Sequence, residues 1–152
     1  MYKNNLKILR NEVNLTQKEI GDILGLSKSQ YNNYETEYTT IPIKHLNKLC
    51  NFFKVSLDYI FDFTNAKNYE SSNREINRLE SGKRLKTLRK ENNLSQMQLA
   101  DFLNTSFSNI SAYERGVNAI NTNYLYTICK HFHVSADYLL GKIDEPKYLK
   151  ND

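Results

Sequence analysis

The segment Leu6 to Asp62 recurs without a gap as Leu85 to Gly141, at a constant offset of 79 residues, and 22 of the 57 aligned positions are identical. Self-similarity of this extent marks an internal duplication. It divides the 152-residue chain into two small domains. Each copy lies near the lower size limit at which one apolar core is stable without metals or disulfides. Five Gly and two Pro in the whole chain are too few for the turns of a many-stranded sandwich or barrel. The expected organisation is a first domain over residues 1–62, a connector over 63–84, a second domain over 85–141 and a tail over 142–152.

Within each copy the apolar residues fall at helical spacing. Leu6, Leu9 and Val13 mark a first helix, and Ile20, Ile23 and Leu24, matched by Leu99, Phe102 and Leu103, mark a second. Thr16 with Glu19, and Ser95 with Gln98, have the spacing of a capping box, so that second helix starts at the same place in both copies. Gly25 and Asn104 then stand where a helix must stop, and both residue types tolerate the left-handed conformation of a sharp stop. Ser27 and Ser106 cap a third helix, which turns Tyr31 and Tyr34, or Ile110 and Tyr113, toward the core. Leu46, Leu49, Cys50 and Phe53, with Leu125, Ile128, Cys129 and Phe132, mark a fourth. Ser56 and Ser135 open a fifth. In the connector, Asn73 to Glu80 is polar with Ile76 and Leu79 three apart, which suits a short helix.

These residues resemble the lambda-repressor-like, or Cro/XRE, family of helix-turn-helix domains. The family's motifs fall on Leu6 to Arg10, Leu15 to Gly21, Leu24 to Ser27, Tyr31 to Glu35 and Val55 to Ile60. In the second copy they fall on Leu85 to Arg89, Leu94 to Ala100, Leu103 to Ser106, Ile110 to Gly116 and Val134 to Leu139. Two departures stand out: Glu37 occupies a position where the family favours Gly, and Asn121 stands where the first copy keeps Pro42. The resemblance implies an all-α fold of two tandem five-helix helix-turn-helix domains. It also implies a transcriptional regulator, by expectation a repressor, that binds double-stranded DNA with the third helix of each domain in a major groove.

On that expectation the outward residues of the third helix read bases. In the first copy these are Lys28, Ser29, Asn32 and Asn33, where Lys donates to guanine acceptors and Asn pairs with adenine. In the second they are Phe107, Ser108, Asn109, Ser111 and Ala112. Phe107 and Ala112 suit thymine methyl groups, and an exposed Phe equally suits a protein contact. Gln17 and Gln96 match the family's phosphate-contacting Gln, with helix capping as their other role. Lys44, Arg115, Lys83 and Arg84 are further phosphate candidates. Arg10 with Glu35, and Arg89 with Glu114, match the family's structural ion pair.

Charge adds little. The total of +4 lies outside the first copy, which carries equal numbers of acids and bases, and mostly outside the second. Net charge therefore permits an anionic partner without demanding one. Cys50 and Cys129 fall on core stripes, and His45, His131 and His133 form no ligand set, so no metal or cofactor is expected. No nucleophile elbow, phosphate loop or HExxH motif is present, so the chain does not read as an enzyme. No apolar run approaches the roughly 20 residues of a membrane span, and Met1 to Arg10 lacks the apolar middle of a secretory signal; a cytoplasmic protein is expected. The connector would reach about 75 Å extended or about 33 Å as a helix, enough for one chain to act as a pseudo-dimer on two half-sites about 34 Å apart. The alternatives are a homodimer, or an antitoxin or anti-repressor whose second domain docks a partner protein and leaves DNA to the first.

Overall fold

The computed structural model describes residues 1, 2 and 4–150. Its ten helices include α1 (Asn5–Glu12), α2 (Gln17–Leu24), α3 (Lys28–Glu35), α4 (Ile43–Phe53) and α5 (Leu57–Ile60) in the first copy. The second copy contributes α6 (Arg78–Glu91), α7 (Gln96–Phe102), α8 (Phe107–Glu114), α9 (Thr122–Phe132) and α10 (Ala136–Leu139). Among the described residues there is no strand beyond one isolated bridge, Val134 to Tyr148.

The starts of helices α2 to α5 reappear 79 residues on because the local chemistry that sets them is duplicated. The hydroxyls of Thr16, Ser27, Ser95 and Ser106 each accept from the backbone N–H three residues ahead, filling orphan donors at the helix start. The stops are duplicated as well. Asn14 and Asn93, Gly25 and Asn104, Glu37 and Gly116, Lys54 and His133, and Asp62 and Gly141 all have left-handed backbone, with φ between 54° and 75°. Glu37 thus adopts the conformation that its Gly counterpart takes at lower cost. Asn121 caps α9 with its carboxamide oxygen, while Pro42 occupies the same place before α4 with a preset φ of −59°. The departures from the family pattern therefore preserve both loops.

The apolar stripes close two separate cores, in units spanning Met1–Tyr69 and Glu70–Asp152. Tyr2, Leu6, Ile20, Tyr31, Ile41, Leu46 and Ile60 are fully buried in the first; Ile110, Leu125, Cys129, Val134 and Leu139 in the second. Some expected core positions lie outside: Val13 caps α1 and is 48% exposed, Phe102 is 41% exposed, and Tyr34 is half-buried. Val13 sits one residue past the helix, where the periodicity no longer directs it inward.

The boundaries differ from those expected of the sequence. Tyr69 donates to the Asp58 carboxylate at 2.7 Å and Ser56 N–H to the Lys67 carbonyl at 2.7 Å, which ties residues up to 69 to the first domain. Asn73 and Asn77 N–H groups donate to the carbonyls of Lys142 and Leu140, which ties residues from 73 on to the second. The short helix expected over Asn73 to Glu80 starts instead at Arg78, capped by Asn77, and runs without a break into the first helix of the second domain. The tail packs too. Ser135 N–H donates to the Lys147 carbonyl at 2.8 Å, and Lys147 pairs with Glu91 at 2.9 Å, as Lys67 pairs with Glu12 at 3.5 Å. The duplication therefore continues past residue 62, with one extra residue before Lys147.

Candidate nucleic-acid interface

In each domain a tight turn fixes the second and third helices against one another. Leu26 N–H donates to the Gly21 carbonyl at 2.8 Å, and Thr105 N–H to the Ala100 carbonyl at 2.9 Å. A Cβ on Gly21 would lie 2.8 Å from the Leu26 carbonyl oxygen, so the first domain closes this turn around a residue without a side chain. Ala100 fills the same place in the second.

Tyr31 and Ile110 are fully buried, and this directs the opposite face of α3 and α8 outward. In the first domain Lys28 and Ser29 are exposed and Asn32 and Asn33 half-buried. Gln17, at the start of α2, donates from its amide nitrogen to the Asn32 carbonyl oxygen at 2.8 Å. A candidate phosphate residue and a candidate base reader are thus held together. In the second domain Phe107, Ser108 and Asn109 are exposed and Ser111 and Ala112 half-buried. Here the polar groups are turned to local partners: Asn109 donates to the Thr105 hydroxyl at 2.7 Å, and Arg115 to the Ser111 hydroxyl at 3.2 Å. Gln96 donates to Glu114 at 3.0 Å.

The third helix is anchored from below. Arg10 reaches Glu35 with two parallel hydrogen bonds, of 3.0 and 2.9 Å, and its third nitrogen donates to the Leu15 carbonyl. Arg89 repeats this with Glu114 and the Leu94 carbonyl. Burial pushes the Glu35 carboxyl up, but the hydrogen bonds and charge of Arg10 outweigh it and hold the group below its usual range. The same hydrogen bond raises the guanidinium of Arg10 further, and Glu114 does so for Arg89. Both pairs are geometric supports under α3 and α8.

Of the peripheral cations, Lys44 in the first turn of α4, Arg115 at the end of α8 and Lys83 on α6 are exposed. Arg84 is not available to a phosphate, which corrects the reading of the sequence. Its guanidinium donates to the carbonyls of Tyr138 and Ile143 at 2.6 Å, pairs with Glu80 and Asp144, and lies 4.1 Å over the Tyr138 ring. Asn5 performs the same task in the first domain by donating to the Ile60 carbonyl at 2.8 Å. Because Asn and Arg share this position, the repeat alone does not reveal a structural role.

Sequence reasoning did not single out Lys18, which pairs with Asp22 at 3.1 Å, or its counterpart Met97, both exposed in the first turn of α2 and α7. Their signal was available in their adjacency to Gln17 and Gln96. Cys50 and Cys129 are buried free thiols. His45 stands beside the Tyr34 ring at 6.4 Å, and burial with nearby Lys44 and Lys48 lowers its pKa. Among the described residues no group of His, Cys, Asp or Glu could hold a metal ion, and no helix is long and apolar enough to cross a membrane.

Comparison with known proteins agrees with this geometry. Residues 6–60 match a family model described as helix-turn-helix, and residues 82–145 match a second, described as a helix-turn-helix domain. The chain is 38% identical over 71 residues to the HTH-type transcriptional regulator ImmR of Bacillus subtilis, a match covering 47% of this chain and 56% of ImmR. It is 34% identical over 61 residues to the antitoxin PezA of Streptococcus pneumoniae, covering 40% of this chain and 39% of PezA. An uncharacterized transcriptional regulator in the ATPase CF(0) region of Rhodospirillum rubrum is 35% identical over 77 residues, covering 49% of this chain and 71% of that protein. The chain thus spans about half the length of the first two of these relatives. With both halves matched and the starts of their second to fifth helices 79 residues apart, the chain belongs to the helix-turn-helix family of Cro/XRE-type transcriptional regulators.

Proposed function

We propose that the protein is a cytoplasmic, sequence-specific repressor that binds double-stranded DNA and places α3 and α8 in successive major grooves. The observation that carries this reading is the exposed face of α3, where Lys28, Ser29 and Asn33 stand outward above a helix locked from below by the Arg10–Glu35 pair. A major groove admits one helix, and a donor such as Lys with a carboxamide such as Asn matches its guanine and adenine edges. Each well-made pair contributes about 1 to 3 kcal/mol of discrimination. Gln17, Gln96, Lys44, Lys83 and Arg115 set the register by phosphate contacts, which position the protein without selecting a sequence. One chain occupies both half-sites, so the operator is asymmetric and no second copy is required.

Selection of binding sites by the full chain from random duplex DNA tests this. The expected result is one enriched sequence, protected in footprints over two half-sites. Lys28→Ala with Asn33→Ala lowers preference for that sequence about tenfold or more while leaving the helical content unchanged. Repression follows if transcription from a promoter carrying the selected site falls as the protein is added. Unchanged preference in the double variant sinks the assignment of base reading to α3. A second reading is favoured by Phe107, which is 49% exposed, together with the named antitoxin relative: the second domain docks a partner protein and only the first reads DNA. A footprint confined to one half-site would select it.

A further inference from the structure

The two faces that carry α3 and α8 are built on the same scaffold yet have opposite chemistry. Lys18, Lys28, Lys44 and Lys48 are exposed in the first domain; at the same positions the second has Met97, Phe107, Asn123 and Thr127, also exposed. Each of these four cations is replaced by an uncharged group, two of them large and apolar, with Met97 at 58% and Phe107 at 49% exposure, while the second domain carries an exposed cation of its own, Arg115, where the first has Thr36. The helix starts, the turn, the Gln at the head of the leading helix and the buried Arg–Glu pair are all retained. A change confined to the outward face, over an unaltered frame, is a change in what the face recognises.

The polar groups that remain do not compensate. The Asn109 amide donates to Thr105 and the Ser111 hydroxyl accepts from Arg115; in the first domain Asn32 accepts from Gln17, whereas Lys28 and the Asn33 side chain have no such partner among the described residues. What α8 offers outward is Phe107 and Ala112, and α7 offers Met97. Along α8 the apolar groups alternate with the polar Ser108 and Ser111. Separated apolar points along a recognition helix fit separated apolar points along a groove. In the major groove those are the C5 methyl groups of thymine.

We infer that the two domains read chemically different half-sites: the first an acceptor-rich one held by phosphate contacts, the second a thymine-rich one read through its methyl groups by Phe107, Ala112 and Met97. This rests on the DNA-binding reading above and makes it specific.

The test uses the full chain and the duplex it selects from random DNA. Thymines are replaced by uracil in one half-site at a time, which removes the methyl group and leaves base pairing intact. Uracil in one half-site is expected to weaken binding about three- to tenfold, as loss of buried methyl groups does, and uracil in the other to have little effect. Phe107→Ala weakens binding to the thymine duplex and is less sensitive than the unaltered chain to uracil in the sensitive half-site. The inference is overturned if uracil has no effect in either half-site or if Phe107→Ala keeps the full sensitivity. Failure to enrich any sequence overturns the DNA-binding reading itself, a different outcome from enrichment without methyl dependence.

Discussion

Arg10 and Glu35 exert more leverage than their number suggests, because side chains 12% and 4% exposed hold charge beneath the helix that faces outward. Removing one member strands the other: Arg10→Met is expected to destabilise the first domain by about 3 to 5 kcal/mol, and Arg10→Met with Glu35→Leu to recover much of that loss. Urea unfolding read by hydrogen exchange at α1 and α3 measures both, and a double variant no more stable than the single one would refute the account. Acid has the same effect as the single change. The folded carboxyl of Glu35 titrates below its unfolded value near 4.5, so its contribution is present above that pH and is lost as pH falls through the folded value. This pair was legible in the sequence because it recurs as Arg89 and Glu114 with the same 25-residue separation. Arg84 was not, since besides Glu80, Asp144 and the Tyr138 ring it is held by the backbone carbonyls of Tyr138 and Ile143, which leave no trace in residue type.

Helix starts were readable in the same way, since a hydroxyl and the N–H three residues ahead are neighbours in the chain. The start of α6 was harder to place. Ser81 and Gly82 are buried inside the helix, where α6 crosses the end of α8. A Cβ on Gly82 would lie 2.6 Å from the Tyr113 carbonyl oxygen and against that of Glu114. The glycine is therefore a contact and not a turn. Helix propensity alone makes Gly82→Ala stabilising by about 1 kcal/mol, whereas backbone that cannot yield makes it destabilising by about 1 to 3 kcal/mol. The second effect is expected to win, and a melting temperature raised by Gly82→Ala in circular dichroism would refute it. The packing of the tail escaped notice for another reason: one inserted residue before Lys147 shifts the offset, so the pairing of Lys67 with Glu12 and Lys147 with Glu91 was invisible to a gapless comparison.

For the whole chain, the connector is where the structure most alters what the sequence suggested. A free connector of 22 residues would let the two domains find half-sites at almost any spacing and rotation. Once residues up to Tyr69 are tied to one domain and those from Asn73 to the other, the untied stretch is Glu70 to Ser72, with a reach of about 14 Å from Tyr69 to Asn73. If both domains read DNA, so short a joint makes half-site spacing part of the specificity. Five extra base pairs between the half-sites turn the second by about half a helical turn, to the opposite side of the duplex. The unaltered chain is then expected to lose the gain in affinity that tethering provides, which corresponds to an effective concentration of about millimolar. A chain with 12 Gly and Ser residues inserted after Ser71, adding a mean reach of about 20 Å, is expected to regain part of it. Gel-shift titrations of both chains on both duplexes decide the matter. Equal affinity of the unaltered chain for the two spacings would mean either that one domain alone contacts DNA or that the joint opens. The inserted chain separates these outcomes, because it changes nothing in the first case and loosens affinity for the original spacing in the second.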